Sequence, residues 1–380
     1  MGDTHGWRRA ALDYRSKFEE DFVFSVPGAL EGAPPLRIAQ APSATAAEKR
    51  LGCRRPAAPA DGGSTRGAGP ASTSSLAGSD DAEDPIPATG FTVWDAGVLL
   101  GAYVSQPEVW RRLTTDVPPR KPARGADAAA AGDDAASTTT TSSPTLRSLS
   151  LSRSEPPGNR PRDERPTVLE LGAGTGVAGL ALASTGAPSS VTLTDLPGVC
   201  AFLRRNAWRN AAPAPAPARR SRARPNRPTA PIPARTALAV APLRWGVAAD
   251  VARLRGGGKR APDVTLGADL AYTENVSVIE NLCATVRACV PRGGVAVFAS
   301  CRDHRPASVD LLETLLTRDG AFEARRVRGD ELAAGFGREG DEEAEMAAGR
   351  ESFRVVEFRR VAGDAMSDAE AEAIRARDAR

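Results

Sequence analysis

Residues 167–176 read TVLELGAGTG, an apolar run that ends in three glycines at alternate positions. Glycine has no Cβ, so Gly172, Gly174 and Gly176 can turn sharply and let a ligand approach the backbone closely. The residues that follow, VAGLALAS, have the composition of a helix. A strand, a glycine turn and a helix present backbone N–H groups and the positive end of a helix to a nucleotide-like ligand.

Two acidic residues indicate which ligand suits this turn, because GAGTGVAG alone is compatible with NAD, FAD or S-adenosylmethionine. Asp195 ends the next apolar segment, where an acid accepts hydrogen bonds from ribose hydroxyls. Glu170 stands just before the glycines, where a carboxylate would crowd a pyrophosphate but suits the ammonium of a methionine moiety. Val177 also replaces the third glycine of the dinucleotide motif. We therefore expect S-adenosylmethionine, and a glycine turn that binds nothing is the alternative.

Aromatic and acidic residues at two further strand ends are candidates for the same site. Trp245 follows an apolar strand, and an indole there can cover an adenine face; a core position is the alternative, as it is for Trp94. GADLAY at 267–272 follows a fourth strand, where ligands bind in open α/β sheets. Asp269 and Tyr272 are candidate acceptors for a substrate amine, and a helix-capping aspartate beside a packed tyrosine is the alternative.

The elements that must position these residues alternate between strand and helix from Pro166 onward. Apolar strands separated by helices argue for a parallel sheet covered on both faces. The segments AFEARRVRG and SFRVVEFRR indicate a terminal strand pair, and the strands at 21–26 and 36–40 indicate a hairpin.

Low-complexity segments interrupt this pattern. Only 5% of the chain is aromatic, whereas 36 residues are glycine and 31 are proline, so long stretches lack the bulky apolar groups that a core needs. We predict an N-terminal extension with a hairpin (1–40), a disordered insert (41–88), a helical segment of the core (89–113), a second disordered insert (114–163), the core (164–362) with a proline-rich insert (211–235), and a tail (363–380).

The order TVWDAG, VLELGAGTGVAGL, VTLTDL, LRRNAWRN, LRWG, DVTLGADLAY and FASCRDHR resembles the protein-lysine methyltransferases of methyltransferase family 16. The resemblance implies a Rossmann-like seven-stranded α/β sheet that is mostly parallel, with one antiparallel strand from SFRVVEFRR. It implies that Asp269 and Tyr272 line a lysine channel. It also implies cofactor contacts at Trp94, Gly172, Ala173, Gly174, Asp195, Trp245 and Ala268. The inserts depart from the family pattern, as does Leu270–Ala271, where the family has bulkier apolar residues.

These observations predict an enzyme that transfers a methyl group from S-adenosylmethionine to a lysine amine of a protein substrate. One alternative is a methyltransferase acting on a small molecule or another side chain. A second is a non-catalytic S-adenosylmethionine-binding interaction protein. A third is an RNA-directed enzyme that uses the arginines of 219–227.

Composition and charge limit the partners and the compartment. The formal net charge is +3, and the five cysteines lack metal-ligand spacing, which suits free thiols in a reducing compartment without a metal site. No apolar stretch approaches the length of a membrane span, and the first residues lack a signal-peptide core. We expect a cytoplasmic monomer, with the nucleus as a second location, and neither a membrane nor a nucleic acid as its partner.

Overall fold

The structure is a computed structural model that describes residues 21–52, 88–115, 165–211, 230–255, 261–302, 305–333, 353–367 and 376. It begins with two short strands, β1 (Phe22–Phe24) and β2 (Leu36–Ile38), which pair antiparallel. The predicted N-terminal hairpin is therefore confirmed. Its alternating apolar side chains are buried against the main core, so the hairpin is packed on the domain.

A seven-stranded sheet forms the centre of the fold. Its strands are β3 (Thr167–Leu171), β4 (Ser190–Asp195), β5 (Ala237–Pro242), β6 (Val264–Ala268), β7 (Val295–Cys301), β8 (Phe322–Arg326) and β9 (Phe353–Arg360). The spatial order is β5-β4-β3-β6-β7-β9-β8, and only β9 runs antiparallel to its neighbours. The predicted seven-stranded, mostly parallel α/β sheet with one antiparallel strand from SFRVVEFRR is confirmed.

Helices cover both faces of this sheet, as the apolar strands require. On one face lie α2 (Asp95–Val104), α3 (Pro107–Thr115), α4 (Val177–Ser184) and α5 (Pro197–Asn210). On the other lie α6 (Ala248–Leu254), α7 (Val276–Cys289) and α8 (Pro306–Thr317). A short 3₁₀ helix (Ala88–Phe91) precedes α2, and the short helix α9 (Gly329–Ala333) follows β8. Every residue of α2 after Asp95 is buried, because the helix contacts α4, β6 and β7 together.

The prediction that 41–88 is a disordered insert is wrong at the start of this range, where residues Ala44–Leu51 form helix α1. The Ser43 hydroxyl accepts a hydrogen bond from the Ala46 N–H (3.2 Å) and caps its first turn. Ala47 is fully buried in a cluster with Phe91 and Phe202. Composition alone missed this helix because its stability comes from a capping serine and a tertiary contact.

The other inserts also begin or end with packed residues. Helix α3 extends to Thr115, two residues into the predicted insert 114–163. In the range 211–235, Ile232 is buried and its backbone bridges to that of Ala211. The remaining parts of these ranges, residues 116–163 and 212–229, lie outside the described residues, as do residues 53–87 of the first insert.

The strand order creates a crevice at one edge of the sheet. From β3 the chain proceeds through β4 to β5 in one direction and then returns to place β6 on the other side of β3. The loops that leave β3 and β6 therefore diverge toward opposite faces. Ligands of open α/β sheets bind at such a switch point, beside the carboxyl ends of the strands.

Candidate cofactor and substrate site

A cavity of about 910 Å³ opens at this edge of the sheet. Its volume suits a ligand the size of a nucleoside derivative. The ten residues singled out from the sequence all line it, namely Trp94, Glu170, Gly172, Ala173, Gly174, Asp195, Trp245, Ala268, Asp269 and Tyr272. The structure thus brings together residues from the segment just before α2, from the carboxyl ends of β3, β4 and β6, and from the loop after β5.

The glycine turn after β3 forms the floor of the cavity. Gly172 and Gly174 have φ angles of 55° and 54°, a left-handed conformation that favours glycine. A Cβ on Gly172 would lie 3.1 Å from the Trp245 ring and 2.8 Å from a methyl of Leu270. The turn therefore needs glycine there for its conformation and also for space.

Asp195 lies beside this turn and is held by two backbone amides. Its carboxylate accepts hydrogen bonds from the Gly174 N–H (2.6 Å) and the Leu196 N–H (2.7 Å). Burial raises the pKa of Asp195 to about 6, although both hydrogen bonds oppose the shift. Each carboxylate oxygen has a second lone pair, so an anchored Asp195 can still accept from a ligand hydroxyl.

Glu170 is more deeply buried, with 2% of its surface exposed. One of its oxygens accepts a hydrogen bond from the Gly179 N–H (2.9 Å) in the first turn of α4. The pKa of Glu170 is raised to about 8, chiefly by burial and also by the charge of Asp195, although the Gly179 hydrogen bond opposes the shift. At neutral pH the free protein therefore favours a protonated Glu170. A cationic ligand group in the cavity would favour its ionised form.

Aromatic rings form two walls of the cavity. The Trp245 and Tyr272 ring centroids lie 6.4 Å apart with their planes tilted by 52°. Trp245 packs against the core on the α7 side, as the alternative expected, and it also lines the cavity. Its contact with an adenine stays a prediction. Tyr272 is 50% exposed and Trp94, just before α2, is 36% exposed. Both therefore lie where the cavity meets solvent.

Asp269 has an uncommon backbone conformation at the end of β6. Its φ of 52° is the only positive value for a non-glycine residue in the described part of the chain, and this conformation costs about 1–2 kcal/mol. Its N–H donates to the Ala299 carbonyl (2.8 Å), and its carboxylate accepts from the Cys301 N–H (2.7 Å). Asn275 caps α7, so Asp269 is not the helix cap that the sequence left as an alternative.

Several residues that line the cavity were not predicted. Ser300 and Cys301 end β7 and could have been found by the strand-end argument that identified Asp269. Gly90, Asn281 and Arg305 reach the cavity from a 3₁₀ helix, from α7 and from the loop before α8. No local pattern marks these three, because only the tertiary fold brings them to the sheet edge.

The charges near the opening are paired across loops. Arg305 contacts Glu274 at 2.5 Å, which joins the loop after β7 to the loop after β6. Arg244 donates from its side chain and its backbone N–H to Asp250, each at 2.9 Å. The described residues contain no group of three or more His, Cys, Asp or Glu side chains that could hold a metal ion.

The residues of the cavity fit S-adenosylmethionine in their donor and acceptor chemistry. Because Gly172 has no Cβ, a ligand can approach the backbone of the turn closely. The flat rings of Trp245 and Tyr272 suit an adenine. The acceptors Asp195 and Glu170 suit ribose hydroxyls and an ammonium. The assignment of individual residues to these contacts remains a prediction.

A family model matches part of the chain. Residues 80–217 match the lysine methyltransferase family. The resemblance predicted from the sequence is confirmed over these residues, and with it S-adenosylmethionine as the cofactor. The match includes Trp94, the glycine turn and Asp195. It ends before Trp245 and the 267–272 segment, which form the other half of the cavity.

Solved methyltransferase structures are also similar to this chain. Human N-acetylserotonin methyltransferase in complex with SAM is 12% identical, with 52% of this chain and 48% of that chain covered and a TM-score of 0.30. The N-methyltransferase NodS from Bradyrhizobium japonicum is 17% identical over 52% and 86% of the chains, with a TM-score of 0.30. The ribosomal protein L11 methylase from Lactobacillus delbrueckii subsp. bulgaricus is 14% identical over 52% and 71%, with a TM-score of 0.31.

The chain spans about half the length of the first of these structures. No curated protein matches the chain. Within the described ranges, no helix combines the length and the apolar character needed to span a membrane.

Proposed function

We propose that this protein is a methyltransferase that acts on the side-chain amine of a lysine in a protein substrate. The observation that supports this most is the position of Asp269 and Tyr272. Both lie on the loop after β6 and line the same cavity as the glycine turn after β3. Half of the Tyr272 surface is exposed, so a long side chain entering from a protein surface would pass this ring before it reaches Asp269.

In this proposal the two halves of the cavity have different tasks. Gly172, Gly174 and Asp195 would hold the nucleoside part of the cofactor, Glu170 would face its ammonium, and Trp245 would cover its adenine. When bound, S-adenosylmethionine supplies a methyl group already activated by a sulfonium. What is left to the protein is to align an amine with that methyl, and alignment alone can lower a barrier by several kcal/mol.

The substrate amine must be neutral to act as a nucleophile. Lysine has a reference pKa near 10.4, so populating its neutral form at pH 7 costs about 4.6 kcal/mol. With a lysine side chain bound, the rings of Trp245 and Tyr272 would displace water around its amine and disfavour the ammonium, which would lower this cost. Burial and the charge of Asp195 raise the pKa of Tyr272, so its hydroxyl stays protonated and adds no charge to the channel.

Asp269 would accept hydrogen bonds from the amine and fix its direction. The Cys301 N–H binds one carboxylate oxygen, and the Ala299 carbonyl binds the Asp269 N–H. Both partners belong to β7, so the carboxylate is fixed to the sheet and does not depend on a free loop. Water can take the proton that the amine loses, and no general base is required.

A methyltransferase acting on a small molecule remains the second candidate, since the family match does not extend to residues 267–272. A non-catalytic S-adenosylmethionine-binding protein is the third. The arginines of 219–227, on which an RNA-directed enzyme would depend, lie outside the described residues. The experiment below distinguishes these candidates from the proposal.

The experiment measures transfer of tritiated methyl groups from S-adenosylmethionine into a cell lysate. The proposal predicts a labelled band that protease removes and RNase leaves intact. The test variant is Asp269→Asn. Asparagine tolerates a positive φ and can still accept from the Cys301 N–H, so the fold should persist. We expect cofactor affinity within a few-fold of the parent and a loss of transfer of about a hundredfold.

Asp263→Asn is the matched control. Asp263 lies just before β6, at the opposite end from Asp269, and its carboxylate accepts from the Thr167 N–H at 2.8 Å. The control makes the same chemical change to a backbone-bound carboxylate that does not line the cavity. Normal transfer by Asp269→Asn would refute the role of Asp269, and label that RNase removes would refute the protein substrate.

A further inference from the structure

Two asparagines in the LRRNAWRN segment of α5 lie outside the cavity and bind a different part of the chain. Asn206 and Asn210 lie four residues apart, so they project from the same face of the helix. Both are buried, with 0% and 1% of their surfaces exposed. A buried side-chain amide is stable only when its donors and acceptor are bonded, and here their partners are backbone groups of the N-terminal extension.

Each asparagine binds both backbone groups of one residue in the extension. Asn210 accepts from the Arg37 N–H (2.9 Å) and donates to the Arg37 carbonyl (3.0 Å). Asn206 accepts from the Ala39 N–H (2.9 Å) and donates to the Ala39 carbonyl (3.1 Å). Alternate residues of an extended strand present these groups on one side, so the two amides pair with the chain much as a neighbouring strand would.

Asn206 differs from Asn210 in one contact. Its Nδ2 also donates to the Thr175 carbonyl at 3.0 Å, and Thr175 belongs to the glycine turn that lines the cavity. The corresponding second donation of Asn210 goes to the Asn206 carbonyl at 2.8 Å, within α5 itself. A single side chain therefore joins the N-terminal extension to the cofactor turn.

The end of the extension and the residue after it also bind segment 90–94, which lines the cavity. The Gln40 side chain accepts from the Val93 N–H (3.1 Å), and the Ala41 N–H donates to the Phe91 carbonyl (2.8 Å). Phe91 contacts Phe202 of α5 edge to face, at 5.5 Å between centroids. The held segment, 90–94, contributes Gly90, Thr92 and Trp94 to the cavity.

We propose that Asn206 is a positioning residue for cofactor binding. By bonding Ala39 and Thr175 together, it fixes the glycine turn relative to the segment 90–94, and the N-terminal hairpin becomes part of the cofactor site. The inference concerns cofactor binding alone and does not depend on the nature of the methyl acceptor.

The test compares Asn206→Asp with Asn210→Asp. Both asparagines belong to α5. Each substitution keeps the shape of the side chain and its acceptor oxygen, and each removes the two hydrogen bonds that the side-chain amide donates. The two variants should therefore lose thermal stability to a similar extent. Only Asn206→Asp should weaken S-adenosylmethionine binding in calorimetry, by about tenfold, because only it releases the glycine turn. Hydrogen exchange of amides 172–176 should be faster in Asn206→Asp alone.

A role in stability alone predicts a different result. Both variants would then melt earlier and, well below their melting temperatures, bind the cofactor as the parent does, which would overturn the proposal. Equal weakening by both variants would also overturn it, since Asn210 does not touch the turn. If a buried carboxylate prevents folding, Asn206→Ala and Asn210→Ala provide the same comparison without a charge.

Discussion

Replacement of Gly172 by alanine should show separately why this position needs a positive φ and why it has no space for a Cβ. The new Cβ would lie 3.1 Å from the Trp245 ring and 2.8 Å from a Leu270 methyl, at a φ of 55°. Leu270 can rotate its methyl away, whereas the rigid indole has to shift as a whole. Gly172→Ala should therefore strain the backbone and also displace the ring that we expect to cover the adenine.

The two effects have different sizes and different readouts. The positive φ costs a residue with a Cβ about 1–2 kcal/mol of folding stability. Stacking of a base on an aromatic ring contributes about 1–3 kcal/mol, so a displaced Trp245 should lose roughly half of this, about 1 kcal/mol, which is about fivefold in affinity. Denaturant unfolding reports the first effect, and calorimetry with S-adenosylmethionine reports the second.

Gly320→Ala is the matched control for this variant. Gly320 has a φ of 69°, and a Cβ there would meet no atom within 4 Å. It follows α8 and does not line the cavity. Both variants should lose the folding stability that the positive φ costs, and Gly172→Ala should lose more because the Trp245 ring must also shift. Only Gly172→Ala should lose cofactor affinity. If Gly172→Ala binds the cofactor as tightly as Gly320→Ala does, the argument that places the adenine against Trp245 is wrong.

The acidic residues of the site give the remaining predictions. Asp195→Ala should weaken S-adenosylmethionine by at least about tenfold in calorimetry, since charge-assisted hydrogen bonds contribute about 1.5–3 kcal/mol each; an unchanged affinity in a folded variant would exclude Asp195 from the site. Because the pKa of Asp195 is about 6, affinity should be lower at pH 5 than at pH 7.5, and Asp195→Asn should reduce this difference. The pKa of Glu170 is raised to about 8 from 4.5. Between pH 4.5 and pH 8 the folded protein therefore binds more protons than the unfolded protein does. The free energy of unfolding should fall as the pH rises through this range. Glu170→Gln should remove that loss in unfolding measurements at pH 5 and pH 8, and an identical pH dependence in both proteins would show that Glu170 ionises freely.

Local sequence patterns predicted much of the sheet and ten of the residues that line the cavity. Apolar strands that alternate with helices required a covered parallel sheet, and the glycines of 172–176 marked the first crevice loop without knowledge of any contact. Asp195, Trp245 and Asp269 were found by one rule, that ligands bind at the carboxyl ends of strands. Each of these signals is contained in a few adjacent residues.

The other features depend on contacts between distant parts of the chain. Gly90, Asn281 and Arg305 reach the cavity only after the helices have packed. The bond from Asn206 to Ala39 joins residues 167 positions apart, and no periodicity indicates it. Helix α1 was missed because its residues are small and polar, and composition does not register a capping serine.

The most direct test of the central claim is to identify the amino acid that receives the methyl group. Protein labelled by the enzyme with tritiated S-adenosylmethionine is hydrolysed completely in acid, and the radioactive amino acids are separated beside mono-, di- and trimethyllysine standards. We predict that the label elutes with the methyllysines and disappears with Asp269→Asn but not with Asp263→Asn. Label that elutes with another methylated amino acid, or that never enters the protein fraction while small molecules become methylated, would contradict the proposed lysine methyltransferase.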